Sequence, residues 1–112
     1  MSESKIYGLI GLAKRAGKTA DGSFQAEEAV RSGKARLLLV AGDASEGTRK
    51  RLSDKCRYYR VPYFVFGNRE KLGKAVGEAE RVCVGICDSG FAGAITKLWK
   101  TGESQGIEKQ GE

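Results

Sequence analysis

The chain has 112 residues, 40% of them hydrophobic and 30% charged, with 20 Lys and Arg against 14 Asp and Glu and no histidine. That length supports one hydrophobic core and not two. Without histidine the chain lacks the usual general base, the commonest zinc ligand and the usual partner of a nucleophilic serine or cysteine, which argues against an enzyme.

No run of about 18 apolar residues is present, and the opening segment MSESKIYGLIGLAKRAGK mixes charge into an amphipathic pattern unlike a signal peptide. A soluble, unexported protein with no membrane partner is expected. Cys56, Cys83 and Cys87 are odd in number. Without an export signal that count predicts free thiols in a reducing compartment, the cytoplasm. The charge is unevenly spread: the last twelve residues, TGESQGIEKQGE, carry three acids and one base, so residues 1–100 hold 19 bases against 11 acids, a net +8. A domain of that charge attracts polyanions, and nucleic acid is a common partner because binding releases its condensed counterions.

In chain order, Ile6, Leu9, Ile10, Leu12 and Ala13 recur at helical spacing. Lys14 and Arg15 suit the last turn of that helix and Gly17 a left-handed stop, which predicts about three turns. A short strand is expected within Lys18 to Asp21, followed by a second helix from about Gly22 to Ser32. Its buried stripe is Ala26, Ala29 and Val30, and Gly33 ends it. The run from Arg36 to Ala41, RLLLVA, is apolar without alternation, as in a strand covered on both faces.

Asp43 and Glu46 resemble a capping box for a third helix reaching Arg60, with Thr48, Leu52, Cys56 and Tyr59 on its inner side. A strand from Val61 to Phe66 follows, with Pro62 near its start. Asn68 is placed to cap a short helix that Gly77 closes, and Arg81 to Cys87 read as another strand. Asp88 then caps a last helix carrying Phe91, Ile95, Leu98 and Trp99 inward. Residues 101–112 are polar and aperiodic, so a disordered tail is expected after a single domain over residues 1–100. Alternating helices and strands imply a three-layer α/β/α sandwich.

Gly17, Lys18 and Thr19 imitate the end of a phosphate-binding P-loop, but position 12 is leucine where that motif needs glycine, and a helix rather than a strand leads in. Cys83 and Cys87 have no second pair and no histidine to complete a metal site, so they read as buried structural thiols. Arg49, Lys50, Arg51, Lys55, Arg57 and Arg60 make the third helix basic, either as a phosphate-contacting surface or as a solvated face. The second helix is more specific. It begins at Gly22 just after Lys14, Arg15 and Lys18, and free N–H groups of a helix N-terminus so placed receive phosphate. With Ala26, Ala29 and Val30 buried, Phe24, Gln25 and Glu28 point away from the core. An exposed Phe there is suited to stack on one base and a Gln to bond another, or the Phe packs on a neighbouring loop.

Several of these segments, residues 22–44, Val61 to Tyr63, Lys71 to Gly77 and Val82 to Ile86, together resemble the kink-turn-binding ribosomal protein family of the L-seven-Ae and L-thirty-e type, in its bacterial YlxQ-like branch. The resemblance spans about residues 5–98. It implies a mixed four-stranded sheet in the sandwich, binding to bent internal loops of RNA with tandem sheared G·A pairs, no cofactor and no catalysis. In that family the second helix opens Gly-Thr-Asn-Glu-x-x-Lys. Gly22 matches, Ser23 is a close substitute and Gln25 stands at the Glu position, whereas Phe24 replaces Asn and Glu28 replaces Lys. The loop that packs on a flipped-out nucleotide in relatives reads here from Gly77 through Glu78 and Glu80 to Arg81.

The expectation is therefore a monomeric RNA-binding protein with structured RNA, ribosomal RNA included, as partner and no small-molecule substrate. Phosphate contact falls to Lys14, Arg15, Lys18, Lys34 and Arg36, and shape and base contact to Gly22, Ser23, Phe24 and Gln25. The acids Glu28, Glu78 and Glu80 support the alternative, a protein-interaction module of the same fold that has lost kink-turn recognition.

Overall fold

The computed structural model describes residues 2–102. The elements follow in the order α1 (Ser2–Arg15), β1 (Thr19–Ala20), α2 (Ser23–Ser32), β2 (Leu37–Val40), α3 (Glu46–Tyr59), β3 (Tyr63–Val65), α4 (Arg69–Ala75), β4 (Cys83–Ile86) and α5 (Ser89–Gly102). The four strands form one mixed sheet in the order β1-β4-β2-β3, with β4 antiparallel to β1 and β2, and β2 parallel to β3. α1 packs against α5 and α4 on one side, while α2 and α3 pack together on the other. The expected three-layer sandwich is what forms.

All four β2 residues are buried, as the unbroken apolar run requires. Removing a Leu or Val side chain from water contributes about 1.5–3 kcal/mol. Trp99 of α5 stacks on Phe64 of β3, ring centroids 4.0 Å apart and planes 4° apart, which fastens the last helix over the sheet. Gly17 and Gly33 end their helices with φ of 71° and 82°, and Asn68 Oδ1 accepts from the Lys71 N–H at 2.8 Å as predicted. Asp88 likewise accepts from the Phe91 N–H at 2.9 Å.

Other expectations are corrected. The predicted Asp43–Glu46 capping box does not form: Ser45 caps α3, its hydroxyl accepting from the Thr48 N–H. Asp43 turns instead to α4, where Oδ1 accepts from the Arg69 N–H at 2.8 Å and Oδ2 from Arg69 Nε at 3.4 Å. The competing partner lies 26 residues on in sequence, beyond the reach of any local rule. Tyr59 is 38% exposed rather than inward, because α3 ends there and Arg60 turns left-handed at φ 60°. Leu12 is 46% exposed, since Ile6, Ile10 and Ala13 already fill the inner face of α1. Cys83 is buried but Cys87, one residue beyond β4, is only half-buried. α5 continues through residues 101 and 102, past the expected boundary at residue 100, and the rest of the predicted tail lies outside the described residues.

The connection from α4 to β4 folds back on α4 itself. Gly73 is the point of closest approach: a Cβ there would lie 2.7 Å from both N and Cα of Glu80. The Glu78 N–H donates to the Gly73 carbonyl at 2.8 Å and the Arg81 N–H to the Arg69 carbonyl at 3.0 Å. Because the obstruction is backbone, Gly73→Ala is expected to lower stability by about 1–3 kcal/mol, as overpacking does. The measurement is a denaturant titration, in which the midpoint falls at constant slope; an unchanged midpoint shows that the loop does not pack on Gly73.

The Arg69 backbone N–H, then its side chain, hold the Asp43 carboxyl below the usual carboxylate range. A lowered folded-state pKa gives stabilisation that is present above the ordinary value of about 4 and lost as pH falls through the folded one. The melting-temperature gap between the parent and Asp43→Ala is therefore expected to be widest near neutrality and to close below pH of about 4. A gap that stays constant across that range removes the ionised Asp43 from the account.

Candidate nucleic-acid interface

α2 follows β1 after only Asp21 and Gly22, so its first turn sits at the edge of the sheet with its N–H groups pointing away from the core. Gly22 is the N-cap, with φ −99° and ψ 155°, and no side chain caps the helix. The first turn holds no acid. Its N–H groups, which no intrahelical carbonyl satisfies, thus remain available to an acceptor. Ala26, Ala29 and Val30 are buried as predicted, which turns Phe24, 73% exposed, and Gln25 outward.

The side chain of Gln25 folds back over Gly22. A Cβ on Gly22 would collide with Gln25 Oε1 and lie 3.1 Å from its Cδ, so glycine at the cap leaves room for the amide to rest there. Ser23 is half-buried beside it.

The end of α1 adjoins this turn. The Lys18 N–H donates to the Ala13 carbonyl at 2.8 Å, wrapping the chain round Gly17. Lys14 Nζ, expected from sequence to contact phosphate, meets Asp21 Oδ2 at 2.8 Å in an exposed ion pair. Arg15 and Lys18 are exposed and form no ion pair among the described residues.

Lys34 and Arg36 belong elsewhere. The 10 residues of α2 separate them from Gly22, about 15 Å at 1.5 Å per residue. The Arg36 N–H donates to the Ile86 carbonyl at 2.7 Å, and the Cys87 N–H to the Lys18 carbonyl at 2.8 Å, so both bases flank the C-terminal end of β4. Burial raises the Cys87 thiol pKa, while the nearby charges of Lys34 and Lys18 pull the other way, which puts these lysines within electrostatic reach of the same point. Arg36 also lines a shallow groove of about 580 Å³ with Ala92, Gly93, Thr96, Lys97 and Lys100 of α5. Lys97 and Lys100 were missed in the sequence; the signal was their place opposite the inward stripe of Ile95 and Trp99.

The acids weighed against RNA contact are each paired. Glu28 bonds Arg31, and that hydrogen bond holds its carboxyl below the usual range. Glu78 meets Arg81 at 3.4 Å and Glu80 meets Arg69 at 4.0 Å. On the basic helix α3, Arg51 and Lys55 both reach Glu27 of α2, at 3.1 and 3.3 Å. Lys50 and Arg57 share Asp54. Much of the positive charge of α3 is therefore matched locally, as on a solvated face. Among the described residues no polar or charged side chain is buried and no group of His, Cys, Asp or Glu is placed to hold a metal ion. No helix of the described residues is long and apolar enough to cross a membrane.

The sequence profile of the Ribosomal protein L7Ae/L30e/S12e/Gadd45 family matches residues 4–95. The chain is 40% identical over 98 residues to the RNA-binding protein YlxQ of Bacillus subtilis (strain 168), covering 88% of this chain and 98% of that one. It is 41% identical over 97 residues to the RNA-binding protein YlxQ of Enterococcus faecium, covering 87% and 93%. A solved protein from Bacillus halodurans superposes with a TM-score of 0.81 at 42% identity, over 86% of this chain and 97% of that one. The Giardia lamblia 15.5kD RNA binding protein shares the fold, with a TM-score of 0.74 at 20% identity over 92% and 88%. With the family profile covering most of the sandwich and two bacterial relatives matched almost end to end, the chain belongs to the Ribosomal protein L7Ae/L30e/S12e/Gadd45 family.

Proposed function

We propose that this protein binds structured RNA of the kink-turn kind through the N-terminus of α2. The observation that carries the reading is the first turn itself: an uncapped glycine start, no acid, and an exposed Phe24 beside a Gln25 amide that rests on Gly22. The free N–H groups with Arg15 and Lys18 hold phosphate, while Phe24 stacks on an unpaired base and Gln25 bonds a base edge. Lys14 orders the Asp21 connection in front of the helix. The curated relatives are named as RNA-binding proteins, and the family name is that of ribosomal proteins, which supports ribosomal RNA as a source of the element. A cytoplasmic monomer fits three unpaired thiols.

The departures at Phe24 and Glu28 change the means rather than abolish the site. Phe supplies a π-face where an amide is replaced, and Arg31 takes up the charge of Glu28. The protein-interaction alternative loses its main support once Glu28, Glu78 and Glu80 are each matched by an arginine.

The test is a titration of labelled kink-turn RNA against a perfect duplex of equal length. Phe24→Ala is expected to remove roughly 1–3 kcal/mol of kink-turn binding, the range for a base stacked on an aromatic ring. Gln25→Ala reduces the preference for the kink-turn over duplex. Gly22→Ala does the same without lowering the melting temperature, because its φ suits any residue and the atom it displaces is the mobile end of Gln25. Equal binding of both RNAs by the parent, or parental binding by Phe24→Ala and Gln25→Ala, would falsify the assignment.

A further inference from the structure

We infer that Arg36, Lys97 and Lys100, with Lys34 beside them, form a second RNA surface that holds the phosphate backbone of a duplex. It is separate from the turn that reads the kink. That the polyanion is RNA rests on the reading above; where it binds rests on three cations without ion pairs that line one groove.

Seven arginines and lysines of α2, α3, α4 and the loop before β4 have carboxylate partners, at Glu27, Glu28, Asp43, Asp54, Glu78 and Glu80, while Arg49, Lys71 and Lys74 have none among the described residues. Lys18, Lys34, Arg36, Lys97 and Lys100 have none among the described residues, and all five are exposed. Asp88, just ahead of α5, has its carboxylate engaged by the Phe91 N–H at 2.9 Å, inside the first turn of that helix. Three of these unmatched cations, Arg36, Lys97 and Lys100, line one groove beside the C-terminal end of β4 and along α5.

Shape agrees with charge. Besides Arg36, Lys97 and Lys100 the groove is lined only by Ser89, Ala92, Gly93 and Thr96, so no bulky side chain keeps a backbone strand away from the cations. It offers no aromatic ring to stack on and no amide to read a base edge, which fits contact with phosphate and not with sequence. It also offers no large apolar side chain to insert, as membrane attachment through an amphipathic helix needs. Cations without local partners are those whose contact with phosphate releases counterions at no cost in broken ion pairs.

The experiment compares full-length parent with Arg36→Gln/Lys97→Gln/Lys100→Gln on a 20-base-pair RNA duplex and on a kink-turn RNA, over a series of salt concentrations, with melting temperature as the folding control. Lys97→Gln/Lys100→Gln serves as a second variant, confined to the exposed face of α5. The triple variant is expected to lose roughly tenfold or more of its duplex affinity at low salt. Its salt slope should fall by about one for each cation in contact, and its preference for the kink-turn should rise. Phe24→Ala/Gln25→Ala should keep duplex binding. The inference is overturned if both cation variants bind duplex like the parent, or if Arg49→Gln/Lys50→Gln/Arg57→Gln on α3 is the set that loses it. Loss of binding to phosphatidylserine vesicles with duplex binding intact overturns it too, by assigning the groove to a membrane. If the parent binds the kink-turn through Phe24 and Gln25 but never binds duplex, this inference fails while the proposed function stands; the reverse pattern leaves the groove and removes the kink-turn reading.

Discussion

Leu37, Leu38, Leu39 and Val40 project alternately to the two faces of the sheet, and none of them reaches solvent. A strand in that position has to be covered on both sides, so helices must be divided between two layers. α1, α4 and α5 take one face and α2 and α3 the other. The parallel pairing of β2 with β3 then requires a crossover, which α3 supplies. α2 likewise returns the chain from β1 to the start of β2. Its N-terminus is thereby delivered to one end of the sheet and the bases after its C-terminus to the other.

That separation gives the molecule two kinds of positive surface. Where α2 meets α3 and where the loop before β4 meets α4, bases are held by acids within 4.0 Å, and the charge serves the protein's own contacts. Exposed pairs of this kind add little stability each, with a median near 0–1 kcal/mol. Their larger effect is on the field outside: the two charges of a pair cancel at distances beyond their own separation, whereas an unmatched charge is felt out to about a Debye length. The net charge of the domain is therefore expressed mainly where partners are missing. A count of bases along α3 overstates its pull on a polyanion, and a glance at α5 understates it.

The α2 turn is specific for the opposite reason, since it carries little charge of its own. What it presents is geometry: N–H groups without acceptors, a ring in solvent, and an amide resting on the one residue type that leaves it room. A side chain on the cap would displace that amide.

The elements and their inward faces were legible in the sequence because they depend on spacing within one segment. The apolar run of β2, the stripe of Ala26, Ala29 and Val30, and the caps at Asn68 and Asp88 all act over four residues or fewer. The outward turn of Phe24 and Gln25 follows from that same stripe. Misreadings arose where a local rule met a distant competitor, as when Asp43 was claimed by the Arg69 N–H, or where helical spacing was extended past a filled inner face or a helix end, as for Leu12 and Tyr59. The ion pairs between elements, and the grouping of cations around a groove, belonged to tertiary structure. No spacing links Lys14 to Asp21 across a strand, Glu27 to Lys55 between helices, or Arg36 to Lys97 across a groove, since each depends on how packed layers bring remote backbones together. The sequence by itself determined which residues are cations and which helix faces are wet; only the folded arrangement decided which of those cations are left without a partner.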